Sequence, residues 1–307
     1  MKRLMKLFAI LVCVFGTISL INRWIFKNAG VPTDSQFESY KYKWRHGRIR
    51  YVVAGKGEPV LLLHGLSAGS SLLEWEEQIG VLSKDYCVYA LDFLGYGESN
   101  KPNITYSAYL FASQINDFIS DVIGSPVNVA ASSGSGAVVM AACALKPELY
   151  SKMLLLSPVG AFNDKFVCGI SPIQMIIDMP VIGTAVYNIL SSRMYFRWSL
   201  IRNLGLPLDS PSEMHRSAHA GGVGCKFPVA AQFSEMMSFN FDAVIPSLEL
   251  PMHVCWGAYN ASNPLSNFRA IRSANDSIGL TVFGNSGVFP HKNQPKKFYR
   301  LCRFFFG

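Results

Sequence analysis

Ser133 lies in the stretch NVAASSGSGAVVMAA, residues 128–142, where a short apolar run breaks on small residues and opens at once into an apolar, helix-like segment. A serine on so tight a bend is the arrangement that presents a hydroxyl as a nucleophile. The hydroxyl attacks poorly until a histidine takes its proton, and that histidine must be oriented by a carboxylate. The chemistry in question is therefore acyl transfer, and it depends on whether the chain supplies a base and an acid elsewhere.

The elements that must position such a serine are legible from residue 39 onward. FESYKYKW and RIRYVVAG, joined at His46-Gly47, read as a hairpin; PVLLLHG is a short apolar run ending at glycine; Ser71–Ser83 is amphipathic. CVYALD, a helix over about 105–123, PVNVAA and KMLLLSP follow, and PMHVCWG, a helix near 263–274, IGLTVFG and a helix from Gln294 close the chain. Continuous apolar strands alternating with helices predict a mostly parallel sheet covered on both faces. Between Ser157 and Pro251 the texture changes. SPIQMIIDMPVIGTAVYNILSSRMYFRWSLIRNL is rich in Met, Ile and aromatics, is broken by Pro172, Pro180 and Gly183, and reads as two or three helices. Placed after the sixth strand, this insertion, about 163–245, would cover the strand ends where open α/β sheets hold ligands.

From about residue 39 to 305 the chain resembles the α/β-hydrolase fold family. LLLHGLSAGS resembles the family's His-Gly loop, in which the Leu66 N–H is one oxyanion donor, and LDFLGYGES matches its D-x-x-G-x-G-x-S turn from Asp92 to Ser99. The elbow G-x-S-x-G becomes Ala131-Ser132-Ser133-Gly134-Ser135, with Gly134 as the second oxyanion donor. The resemblance implies an α/β-hydrolase fold with a helical cap and a serine hydrolase of carboxylic esters.

The partner positions depart from that pattern. WGAYNASNP puts Asn260 where the family has its aspartate, and GVFPHKNQP puts Val288 where it has its histidine, while Gly287, Pro290, His291 and Pro295 stay in step. Valine has no lone pair to accept a proton, so the normal route is closed. In a serine protease, loss of the base costs on the order of 10⁶ in turnover. The candidates for a rebuilt triad are His291, three residues from the lost position, His215 and His219 in the inserted EMHRSAHAGG, and Asp164 after the sixth strand. Three readings follow: a family member with decayed machinery whose capped pocket binds a small apolar or ester-like molecule, a working hydrolase with relocated partners for Ser133, and an interaction scaffold.

The first thirty residues have their own logic. Lys2, Arg3 and Lys6 precede fifteen uncharged residues from Leu7 to Ile21, and Arg23 and Trp24 follow. A helix through this run would nearly cross a bilayer, anchoring the domain of residues 31–307 by a single pass, with an extracytoplasmic domain as the weakly favoured orientation. A cleaved signal peptide has a similar start, and a buried helix is the third alternative. Of the net charge of +8, residues 1–56 carry eleven Lys or Arg against Asp34 and Glu38, and the remainder is near neutral. That distribution argues against a nucleic-acid-binding domain. The cluster Lys41, Lys43, Arg45, Arg48 and Arg50 would suit either anionic headgroups or the solvated face of a hairpin. Seven scattered cysteines without C-x-x-C or Cys/His ligand spacing predict free thiols and no metal site, and no fingerprint of a nucleotide cofactor is present.

Overall fold

The computed structural model describes residues 1–159, 171–204, 211–234, 237 and 244–307. Eight strands among them form one sheet: β1 (Ser39–Trp44), β2 (Gly47–Ala54), β3 (Pro59–Leu63), β4 (Cys87–Leu91), β5 (Val127–Ser132), β6 (Tyr150–Leu156), β7 (Met252–Gly257) and β8 (Gly279–Phe283). Their order is β1-β2-β4-β3-β5-β6-β7-β8. β1 pairs antiparallel with β2 and β2 antiparallel with β4, whereas β4, β3 and β5 to β8 run parallel. The inner strands are apolar runs because helices cover both of their faces, as sequence alternation predicts.

After β3 the chain winds to one side through β4, then returns to place β5 on the other side of β3. The strand order reverses at this β3/β5 boundary, and open α/β sheets form their ligand crevice beyond the carboxyl ends of strands at such a point. Ser133 follows β5 and the Gly65-Leu66 loop follows β3, so topology alone brings them together.

One face of the sheet is covered by helices α3 (Ala108–Phe118) and α4 (Gly134–Leu145), whose Phe111, Ile115, Phe118, Val138 and Met140 are buried in one core. The other face carries α2 (Glu76–Leu82) and the C-terminal helix, with Trp75, Ile79, Phe298 and Phe306 in a second core. α4 buries nine consecutive residues, Ser135–Cys143, which is why its sequence is apolar all round.

Between β6 and β7 the described residues form five helices, α5 (Pro172–Asp178), α6 (Ile182–Leu190), α7 (Arg193–Leu204), α8 (Pro211–His219) and α9 (Lys226–Ala231). Pro172 opens α5, where its missing N–H is no loss, and the Ser171 hydroxyl caps it by accepting from the Ile173 N–H. α5 and α6 bend apart by 107° at Met179–Val181. Gly183 is required there, since a Cβ would meet the Ile177 carbonyl oxygen at 2.2 Å.

The N-terminal helix α1 runs unbroken over Lys2–Asn28 and is long and apolar enough to cross a membrane. Its apolar side chains from Leu4 to Phe15, and Leu20 and Ile21, are exposed, but its last turns are docked. The buried Asn22 donates its Nδ2 to the Val181 carbonyl (3.0 Å) and accepts from Asn188 Nδ2 (2.9 Å). The basic cluster at the hairpin divides. Arg50 is buried and bridges Asp34 and Glu98, which withdraws its guanidinium from headgroups, whereas Arg45 pairs with Asp117 at the surface.

Candidate active site

Ser133 holds a backbone of φ 53°, ψ −121°, a region that L-residues avoid, at the junction of β5 and α4. Such a conformation costs of order 1–3 kcal/mol and persists only when its surroundings over-determine it. Here the Ser133 N–H donates to the Leu156 carbonyl (2.8 Å), and the Ser133 carbonyl accepts from Gly136 (3.1 Å) and Val159 (3.3 Å). The two elbow substitutions fit the crowding. Ala131 is fully buried, and the Ser135 hydroxyl turns inward to donate at the Ser132 and Leu63 carbonyls (2.8 and 3.2 Å).

The loop after β3, expected to supply an oxyanion donor, is equally well held. A Cβ on Gly134 would stand 3.4 Å from Leu66 Cβ, so the two expected N–H donors belong to neighbouring residues. The Leu66 carbonyl is fixed by the Tyr96 hydroxyl at 2.9 Å. His64, fully buried, donates from Nδ1 to the Gly65 carbonyl and accepts the Phe93 N–H at Nε2 (3.1 Å). Burial pulls its pKa down, which suits the neutral ring that this pattern needs. Asp92 completes the frame by accepting from the Leu72 and Glu98 N–H groups, against Gly97 (φ 47°), where a Cβ would lie 2.1 Å from its carboxyl carbon. The Asp92–Ser99 motif is therefore scaffold for the loop after β3.

The two residues that sequence aligns with acid and histidine sit in well-held turns. Asn260 is buried after β7 with its Oδ1 accepting from Ser262 Oγ and Asn263 N (both 3.0 Å), and its Nδ2 has no partner among the described residues. An aspartate there could accept from the same groups and also face an imidazolium; an amide nitrogen cannot. Val288 is half-buried in the loop after β8. Asn293 Oδ1 braces that loop from Ser286 Oγ (2.8 Å), and Gly257 packs so close that a Cβ would sit 1.9 Å from the Gly287 carbonyl oxygen.

The candidate substitute histidines are engaged elsewhere. His291 is fully buried and stacked on Trp75 (centroids 4.3 Å apart), with Nε2 3.7 Å from Glu74 Oε1; burial holds it well below the usual histidine pKa. His219 points Nδ1 at the His215 carbonyl (2.8 Å) and Nε2 at Asn188 Oδ1 (3.1 Å), and burial lowers its pKa to about 4. His215 Nδ1 meets the Ser191 carbonyl at 2.8 Å. These contacts tie His215 and His219 to the α6–α8 packing of the cap. Asp164 lies outside the described residues.

Above Ser133 lies a cavity of about 350 Å³. Its floor includes Ser133, Gly134 and Leu66, and its walls include Tyr195, Phe196 and Met214 from the inserted helices. The alpha/beta hydrolase family model matches residues 60–301. The chain belongs to the α/β hydrolase family. An uncharacterized protein of Mycobacterium tuberculosis is 23% identical over 277 residues, spanning 86% of this chain and 80% of that protein. A 2-hydroxy-6-oxo-6-(2'-aminophenyl)hexa-2,4-dienoic acid hydrolase of Metapseudomonas resinovorans is 35% identical over 113 residues, 36% of this chain and 39% of that enzyme. Among solved structures, a serine hydrolase involved in carbazole degradation superposes with TM-score 0.73 at 21% identity (88% of this chain, 98% of that one). A membrane phospholipase A superposes with TM-score 0.71 at 19% identity (100% and 98%).

Within this α/β hydrolase, sequence reading passed over two positioning residues. Tyr96 sat inside a recognised motif, and nothing local said that its hydroxyl would brace the oxyanion loop. Glu74 is mostly buried beside the elbow, its Oε2 accepting the Gly65 N–H at 3.0 Å. The only local signal was a glutamate immediately before the buried Trp75. Among the described residues no three His, Cys, Asp or Glu side chains gather as a metal site, and the six described cysteines are free thiols.

Proposed function

We propose that this α/β-hydrolase family member is a membrane-anchored protein that binds a small apolar or ester-like molecule over Ser133 and turns it over weakly or not at all. The observation that carries this reading is a cavity floored by the elbow serine and the Leu66 and Gly134 residues, in a chain whose sequence aligns Val288 and Asn260 with the two partner positions. Such a site can orient a carbonyl against two backbone N–H groups. It has no imidazole at the family position to receive the serine proton. The anchor is α1, whose exposed apolar run suits a bilayer and not water.

A working hydrolase with relocated partners is the second reading, favoured by the strained backbone that Ser133 still holds, since strain of this kind concentrates where it serves chemistry. Two measurements on the detergent-solubilised full chain separate the readings. Short-chain acyl ligands should raise the unfolding midpoint; ligand at 100 times its Kd stabilises by about 2.7 kcal/mol. A fluorophosphonate probe should label the chain no faster than Ser133→Ala. Rapid labelling that disappears in Ser133→Ala sinks the weakly active reading, and no ligand-dependent shift sinks the binding reading.

A further inference from the structure

α7 is apolar on two opposite faces. Tyr195, Phe196 and Ser199 line the cavity over Ser133, while Met194, Trp198 and Ile201, spaced i, i+4, i+7, form an outer stripe with exposures of 81%, 51% and 63%. The preceding helices continue the outer face. Ile173, Ile176, Met179, Ile182 and Ile189 on or between α5 and α6 are all exposed. A monomeric protein in water does not gather such a surface on one element group without something to cover it.

The position of α1 says what covers it. Asn22 is bonded to Val181 and Asn188, and Phe26 packs edge-on against His219 with centroids 4.8 Å apart, so the end of α1 is fastened to α6 and α8. The residues just before Asn22, including Leu20 and Ile21, are exposed apolar side chains. A bilayer that takes up the apolar length of α1 as far as Ile21 therefore arrives at Val181 and Ile182, the start of the exposed cap surface. The flanking residues suit a lipid boundary: Trp24 and Trp198 are exposed aromatics of the kind found at headgroup depth, and Arg23, Lys27, Arg193 and Arg197 are exposed cations beside them. Tryptophan and long aliphatics on one stripe with arginines at its border is also the composition of helices that lie in a membrane interface.

We propose that the outer face of α5, α6 and α7 is a membrane-interfacial surface continuous with α1, and that it seats the cap in a bilayer bearing anionic lipid. α7 then separates the lipid phase from the cavity by the thickness of one helix. The ligand class that this placement selects is the acyl portion of a membrane lipid, which reaches Ser133 from the bilayer and not from water. The ligand assignment rests on the pocket reading above; the seating of the surface does not.

The test uses the full chain reconstituted in phosphatidylcholine/phosphatidylglycerol vesicles with and without brominated acyl chains. Trp44, Trp75 and Trp256 are buried, so Trp24 and Trp198 are the candidates for quenching. Bromolipid should quench Trp24→Phe about twofold more than Trp24→Phe/Trp198→Phe, as expected for an indole at the boundary between headgroups and acyl chains. Equal quenching of the two overturns the proposal, including the case where a second copy shields Trp198 and keeps lipid away. For the ligand, Met194→Glu/Trp198→Glu/Ile201→Glu should lower capture of a vesicle-resident pyrene-labelled phospholipid about tenfold, because charges of this kind are expelled from lipid, and leave the thermal shift with octanoate unchanged. Unchanged phospholipid capture overturns delivery from the bilayer. Absence of an octanoate shift in the parent sinks the pocket reading instead, and the quenching comparison still decides the surface.

Discussion

The two halves of the site have been treated differently by the same fold. On the nucleophile half, following β3 and β5, both backbone and side chains are tightly held: Ser133 holds its positive φ, the Ser135 hydroxyl finds two carbonyls, and Tyr96, His64 and Asp92 brace the loop after β3. On the partner half, following β7 and β8, the turns are held as tightly, and the proposal made above is that their chemistry has gone. Gly257 packs against Gly287 and Asn260 closes its turn, and we read the amide of Asn260 and the isopropyl group of Val288 as standing where acid and base would be. Turn geometry depends on small residues and hydrogen bonds to the main chain, whereas proton transfer depends on one side chain's lone pair. The first can therefore outlast the second.

The largest effect that would sharpen this contrast is a gain of activity. Val288→His with Asn260→Asp should raise p-nitrophenyl ester hydrolysis by about 10² to 10⁴ over the parent, whereas Val288→His alone should gain far less, because an unoriented imidazole costs about 10⁴ in a serine protease triad. The rise must vanish when Ser133→Ala is added. A folded double variant as inactive as Ser133→Ala would show that the nucleophile half has also decayed.

Next comes the partner half's backbone. Gly257→Ala places a Cβ 1.9 Å from the Gly287 carbonyl oxygen and should cost about 3 kcal/mol or prevent folding, read from urea denaturation. Val288→Ala in the same loop should cost less than about 1 kcal/mol, as a half-buried methyl pair permits. Similar losses for both would contradict the separation of frame from chemistry.

A smaller effect concerns His219, which as a hidden base would titrate near neutrality. Burial instead brings it from the ordinary histidine value to about 4 in the folded chain, so the unfolded chain binds the extra proton between those values. Its stabilising contribution is complete above the unfolded pKa and is lost as pH falls toward 4. From pH 7 to 5 it should account for about 2 kcal/mol of lost stability, a share absent in His219→Gln. His291 acts in the same direction, so the parent's loss is larger than this share. Identical pH profiles for the parent and His219→Gln would remove His219 from the structural role assigned to it.

The smallest change tests the elbow. Ser135→Ala removes two hydrogen bonds to main-chain carbonyls and should lower stability by about 1 kcal/mol, measured calorimetrically. A stabilising effect would mean that this hydroxyl strains the elbow.

Much of the frame was legible before any coordinates. The apolar strand runs and their separating helices match β1 to β8 because period and composition report burial on one or two faces. The alignment of Val288 with the partner histidine rests on sequence alone, on Gly287, Pro290 and Pro295 staying in step around it, and the double variant tests it. The basic hairpin cluster was misread in part: Arg50 lies in a stripe of cations by sequence, yet is buried against Asp34 and Glu98 from separate loops. The roles of His215, His219 and His291 were not legible. Each histidine's use depends on which carbonyl, amide or aromatic ring the fold brings to it.

What the sequence determined by itself is local: a strand, a tight small-residue bend, an apolar helix and the identity of the side chain at each motif position. These follow from backbone sterics, hydrophobic period and the presence or absence of a lone pair, none of which needs a distant partner. Tertiary structure decided the rest. Asn22 finds Asn188 across 166 residues, Tyr96 reaches Leu66, and α7 lines a cavity with one face while exposing Met194, Trp198 and Ile201 on the other. The physical reason is that an apolar residue on a helix carries no mark of what it will face. Only the packing of α1, the sheet and the cap assigns one stripe of α7 to the cavity and leaves the other outside.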